Sequence, residues 1–166
     1  MNESPSFPLP KPVKLSIDHQ WKTLTRAANR AFEIENFELA EKLYDDALYE
    51  AEQRFRNDRA PGTMQSAPSM LIAAGANAAE CSARCGDNSG AAKITFSVLH
   101  CLRTSVDDVN EVLAFRHACF LQLKPALLEF ANRAKSAGIS KCEFSKVAEE
   151  TRKIALSFIS NILTIH

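Results

Sequence analysis

In the stretch ENFELAEKLYDDALYEAE, residues 35–52, alanines fall at 40, 47 and 51 and aromatic rings at 37 and 44. These positions recur every three or four residues. They therefore share one face of a helix, with Phe37, Ala40, Tyr44, Ala47, Leu48 and Ala51 turned inward. Alternation of alanine with a ring says more than amphipathicity. Antiparallel helices approach closely only where one offers small side chains and the other fills the gap with large ones. The stretch calls for a neighbouring helix at short range, and so for a fold of packed helices.

The preceding segment supplies that neighbour. Ser16 is a helix cap with Asp18 in the first turn, and Ile17, Trp21, Leu24, Ala27, Ala28, Ala31 and Phe32 keep helical spacing. EIEN breaks the pattern, and Asn36 caps a second helix. RNDRAPGTMQSAP (56–68) reads as a loop, followed by an alanine-rich third helix from about Ser69. GDNSG (86–90) is a tight turn before a fourth helix through Ile94, Phe96, Val98, Leu99 and Leu102. TSVDD offers cap chemistry for a fifth helix carrying Val109, Val112, Leu113, Phe120 and Leu123.

Pro125 falls inside that pattern, yet Leu127, Leu128 and Phe130 continue it, which predicts one long kinked helix. Gly138 ends it, and Ser140 with Glu143 forms a capping box for a last helix over 141–163 burying Val147, Ile154, Phe158 and Ile162. No segment alternates as a half-buried strand does. The expectation is an all-α domain of about six helices over residues 16–166, behind a flexible, proline-rich arm at 1–15.

Twenty basic and twenty acidic side chains cancel, which argues against general affinity for nucleic acid or anionic membrane. The balance is local. Residues 33–52 hold eight acids and one base, whereas 124–153 hold seven bases and four acids. No apolar run reaches the roughly 18 residues of a membrane span, and the arm does not read as a secretory leader. Five cysteines at irregular spacing read as reduced thiols, which makes a cytoplasmic location the expectation.

On Phe37, Ala40, Tyr44, Ala47 and Leu48, with Leu24, Ala27, Ala28 and Ala31 before them, the chain resembles the tetratricopeptide repeat. That unit is a helix–turn–helix of about 34 residues. Ala28 stands where the family usually has glycine. A second copy places Ala92, Phe96 and Leu99 at the positions of Ala40, Tyr44 and Ala47, an interval of 52 residues from Ala40 to Ala92. A second helix extended to about Phe55 and the 56–68 loop absorb the excess over the family period. The resemblance covers residues 18–102 and does not extend into the C-terminal third; the whole is similar to small bacterial proteins with such repeats.

The resemblance implies a right-handed superhelical solenoid whose first helices line a concave groove for a peptide or helix of another protein. By register, the implied partner-binding residues are Lys22, Thr25, Asn29, Phe32 and Glu33 in the first unit and Asn77, Cys81 and Arg84 in the second. An asparagine offers donor and acceptor to a peptide backbone, or an ordinary bond between helices. Family members that clamp a C-terminal carboxylate carry lysine four residues before such an asparagine. Thr25 stands there, which argues against that activity.

Cys81 and Cys85, with His100 and Cys101 on the next helix, have the chemistry of a tetrahedral metal site. Their alanine-rich surroundings favour buried thiols that fill the core. Arg116 and His117 interrupt an apolar helix, so at least one is partly buried and needs a partner, as an ion pair or a groove contact. Nucleophilic triads and paired metal-binding histidines are missing, and CGDNSG lacks the lysine and spacing of a phosphate loop. The reading is a non-enzymatic interaction module without cofactor or metal, an adaptor or small chaperone. The alternatives are a homodimer assembled through the C-terminal helices and a secretion chaperone.

Overall fold

A computed structural model describes residues 17–164, with side chains from His19 onward; the proline-rich arm, the Ser16 cap and the Asp18 side chain lie outside the described residues. Six helices follow one another: α1 (Ile17–Glu33), α2 (Phe37–Asn57), α3 (Ala67–Arg84), α4 (Asn88–Asp107), α5 (Leu113–Ser136) and α6 (Lys141–Thr164). No strand occurs among the described residues, so the fold is all-α.

The odd-numbered helices end in the same way. Each closes on a left-handed residue, Glu35 (φ 59°), Gly86 (φ 90°) and Gly138 (φ 75°). In all three turns that residue's N–H and the next one reach back to adjacent carbonyls: Glu35 to Phe32 and Asn36 to Ala31, Gly86 to Ala83 and Asp87 to Ser82, Gly138 to Lys135 and Ile139 to Ala134. This is the Schellman arrangement, which satisfies carbonyls that a helix end would otherwise orphan. A capping residue follows at once. Asn36 accepts from Leu39 N–H, Asp87 accepts from Gly90 N–H, and Ser140 exchanges bonds with Glu143 as a capping box.

The left-handed residues recur at intervals of 51 and 52 positions, so the chain is three helical hairpins with one kind of turn. The third hairpin, which carries no alanine–aromatic signature, shares it. The even-to-odd connections differ: nine residues join α2 to α3 and five join α4 to α5.

Helices α1 to α5 pack chiefly on their neighbours in sequence, α3 also touches α5, and α6 rests equally on α4 and α5. Small faces large where the alternation demanded it: Ala28, Ala31, Ala40, Tyr44, Ala78 and Cys81 form one cluster where α1, α2 and α3 meet. A larger cluster runs from Ala51 and Phe55 through Leu71, Leu99, Leu102 and Phe115 to Phe130 and Phe158. Gly75 marks a close α3–α4 approach, since a Cβ there would lie 2.6 Å from Val98 Cγ2.

Helix α5 runs unbroken through Pro125, as the periodicity requires. Its start differs from expectation. TSVD closes α4 instead of capping α5, and Val109 and Val112 lie exposed in the connection. Asp108 accepts from Asn110 N–H, so the cap-type aspartate forms a turn after one helix, not a cap before the next. Helix α3 begins two residues earlier than the loop composition suggested, with proline in its first turn, where no N–H is needed. In α6 only Thr151 and Phe158 are fully buried; Val147, Ile154 and Ile162 are half-buried, because among the described residues α6 packs on α4 and α5 from one side.

Candidate partner-binding face

The three odd-numbered helices are linked by one continuous run of contacts. The Arg84 guanidinium, at the end of α3, lies 5.8 Å from the centroid of the Phe32 ring on α1. Arg84 Nε also sits 3.6 Å from Glu80 Oε1, one turn back. The other Glu80 oxygen accepts from Arg133 of α5 at 2.8 Å. Arg84, at 63 % exposure, and Glu80, at 48 %, keep most of this run open to solvent.

The expected contact residues divide. Phe32 and Arg84 meet in this run, and Phe32 also meets Phe37 edge-on at 5.4 Å; Asn77 is half-buried on α3, one turn before Glu80. Glu33 is exposed beside Phe32. Asn29 is exposed, but its Oδ1 accepts the Tyr44 hydroxyl at 2.8 Å, so it ties α1 to α2. Burial raises the Tyr44 pKa, with Cys81 and Glu33 adding to it, which keeps the phenol a donor. Lys22 is exposed on α1, and Thr25 Oγ1 is buried with no hydrogen-bond partner among the described residues.

One expectation is corrected. Cys81 is fully buried, its Sγ 3.9 Å from the Phe37 carbonyl oxygen, because α2 covers that side of α3. Arg116 stands apart from the other candidates: its Nε donates to the Val106 carbonyl at the end of α4, and its guanidinium lies 5.2 Å from the Phe158 ring centroid. There it satisfies an orphan carbonyl and the positive charge suits a helix C-terminus, which is a structural role.

Cys119 is fully buried and Cys101 half-buried, whereas Cys85 and Cys142 are exposed, so only part of the cysteine set fills the core. Among the described residues no three of His, Cys, Asp or Glu come close enough to hold a metal ion. No described helix is long and apolar enough to cross a membrane. A cleft of about 320 Å³ between α4, α5 and α6 is walled by Phe96, Phe130, Ile139 and Val147, with Lys93 and Glu143 at its edge. Phe96, the expected counterpart of Tyr44, faces this cleft at 38 % exposure; Thr95 takes the buried place beside it.

Glu80 and Arg133 carry the link between α3 and α5, and neither had a sequence signal, since any exposed acid can meet any base. Leu121 and Leu128 on α5 were hidden for the opposite reason: α5 is apolar on every side, so periodicity could not tell which leucines stay uncovered. No family model, curated protein or solved structure matches the chain.

Proposed function

We propose that this chain is a non-enzymatic protein–protein interaction module, an adaptor or small chaperone. In this reading the three hairpins stack as a tetratricopeptide-like solenoid with a right-handed superhelical turn. Faces of α1, α3 and α5 form its groove, and a peptide or helix of another protein lies in it. The observation that carries the reading is the recurrence of one turn at 51- and 52-residue intervals, together with contacts between α3 and α5 that skip α4. Such contacts are what stacked repeats make with their neighbours. Phe32, Asn77 and Arg84 then sit on the groove side, offering a ring edge, an amide and a guanidinium to an extended chain.

A photo-crosslinking amino acid at Asn77, compared with one at the exposed Ser97 of α4, tests this in cells that express the chain. Adducts to another protein from position 77 and none from 97 support the groove. Equal adducts from both, or none from either, overturn it.

A second reading, a homodimer through α6, is favoured by one observation: Leu156, Ile159 and Leu163 lie on one stripe of α6 at 50 %, 40 % and 72 % exposure. Sedimentation of wild type against Leu156→Ser/Leu163→Ser separates the two, because only the homodimer loses mass.

A further inference from the structure

Helix α5 carries apolar residues on every side, and a helix of that kind is ordinarily covered all round. Here its neighbours cover only part of it. The exposed residues of α5 fall on a single stripe, on which Leu113 is 51 % exposed and Leu121 and Leu128 are 56 % each. Leu121 and Leu128 stand seven positions apart, the spacing of a seam that receives another helix.

Charge and backbone add to the seam. The four bases of α5 are Arg116, Lys124, Arg133 and Lys135, against one acid, Glu129. Arg116 is spent on the Val106 carbonyl, Arg133 on Glu80, and Glu129 is half-buried. The lysine and arginine side chains that α5 exposes are therefore Lys124 and Lys135, both on the leucine stripe, where His117 is exposed as well. Pro125, exposed between the leucines, has no N–H to give, so the Leu121 carbonyl lacks its intrahelical donor and is an acceptor on the same stripe.

We infer that the outward face of α5 docks an acidic amphipathic helix from a partner protein. Apolar side chains of that helix seat against Leu121 and Leu128, its carboxylates face Lys124 and Lys135, and a side-chain donor meets the Leu121 carbonyl. This rests on the interaction-module reading and names the chemistry of the occupant. Like-charge contact excludes basic helices, and apolar burial holds the acidic one once charge has steered it in.

The test uses two fluorescein-labelled 18-residue helical peptides with leucines seven apart, one flanked by glutamate and one by lysine, titrated with the full chain by fluorescence anisotropy. The expected result is binding of the glutamate peptide alone. Leu121→Ser/Leu128→Ser should weaken it at least tenfold, as should Lys124→Glu/Lys135→Glu, with both variants folded by circular dichroism. Raising salt from about 0.05 to 0.3 M should weaken it several-fold.

Equal binding of the lysine peptide overturns the charge assignment and leaves the groove intact. Binding indifferent to the α5 variants but lost with Arg84→Glu moves the site to α1–α3 and overturns the inference alone. No peptide binding, with adducts still formed from position 77, also overturns it alone; loss of both removes the reading beneath it. A concentration-dependent dimer abolished by Leu121→Ser/Leu128→Ser makes a second copy the occupant and overturns the partner assignment.

Discussion

Arg59 and Glu111 are 52 residues apart in the chain and meet through two hydrogen bonds, Nε to one carboxylate oxygen at 2.9 Å and Nη2 to the other at 2.6 Å. The first belongs to the connection entering α3 and the second to the connection entering α5, so equivalent points of successive hairpins are clamped together. The Arg59 guanidinium also lies 3.7 Å from the centroid of the Phe115 ring and donates to the Phe55 and Asp58 carbonyls. A planar fork that serves two oxygens and stacks on a ring is work that lysine cannot take over.

Breaking this clamp should loosen the junction between hairpins. Arg59→Ala and Glu111→Gln are each expected to cost about 1–3 kcal/mol, since the first strips the partly buried Glu111 carboxylate of its guanidinium and the second removes the charge and one of the two acceptors that the guanidinium meets. Urea unfolding of the two single variants and the double should return a coupling of roughly 1–2 kcal/mol. Hydrogen bonds from Arg59 hold the Glu111 carboxyl below its ordinary 4.5, against an opposing effect of burial. The advantage of wild type over Glu111→Gln is therefore complete above the unfolded carboxyl's pKa, and it disappears as pH falls through the lower folded value. An advantage that persists at pH 2 contradicts this.

Gly75→Ala tests the α3–α4 contact. Helix propensity alone predicts a gain of up to about 1 kcal/mol. The added methyl meets Val98 Cγ2 at 2.6 Å, and valine has no flexible end to move aside. Overpacking should win, with a net loss of about 1–3 kcal/mol by thermal unfolding. Gly75→Ala/Val98→Ala should be more stable than Gly75→Ala.

The thiols should separate by burial. Burial pushes Cys119 up to about 12 and Cys81 up to about 11. Alkylation at pH 7.5, followed by peptide mass mapping, should label Cys85 and Cys142 quickly, Cys101 slowly, and Cys81 and Cys119 only on unfolding. A thiol whose folded pKa lies above its unfolded value keeps its proton in the fold while the unfolded chain gives it up. Stability should therefore fall as pH rises past the ordinary thiol value of 9.0 toward those raised values.

What the sequence revealed was local. Asn36, the Ser140–Glu143 box and the helix through Pro125 all act within one or two turns, where spacing fixes the geometry. The α4–α5 boundary was misplaced because an aspartate forms a turn after a helix with the same side chain that caps one. The contact face was harder to read. The asparagine at 29 fits a peptide contact or a bond between helices equally well from sequence, and the tyrosine fifteen residues later supplies such a bond. The links between hairpins, Arg59–Glu111 and Glu80–Arg133, span 52 and 53 residues, and no spacing rule reaches that far.

The most direct test of the central claim is an affinity isolation from a lysate of cells that express the chain, comparing wild type with Asn77→Ala/Arg84→Glu at equal folding by circular dichroism. One discrete protein retained by wild type and lost by the variant is the predicted result. Identical retained proteins from both would contradict an interaction module that uses this face.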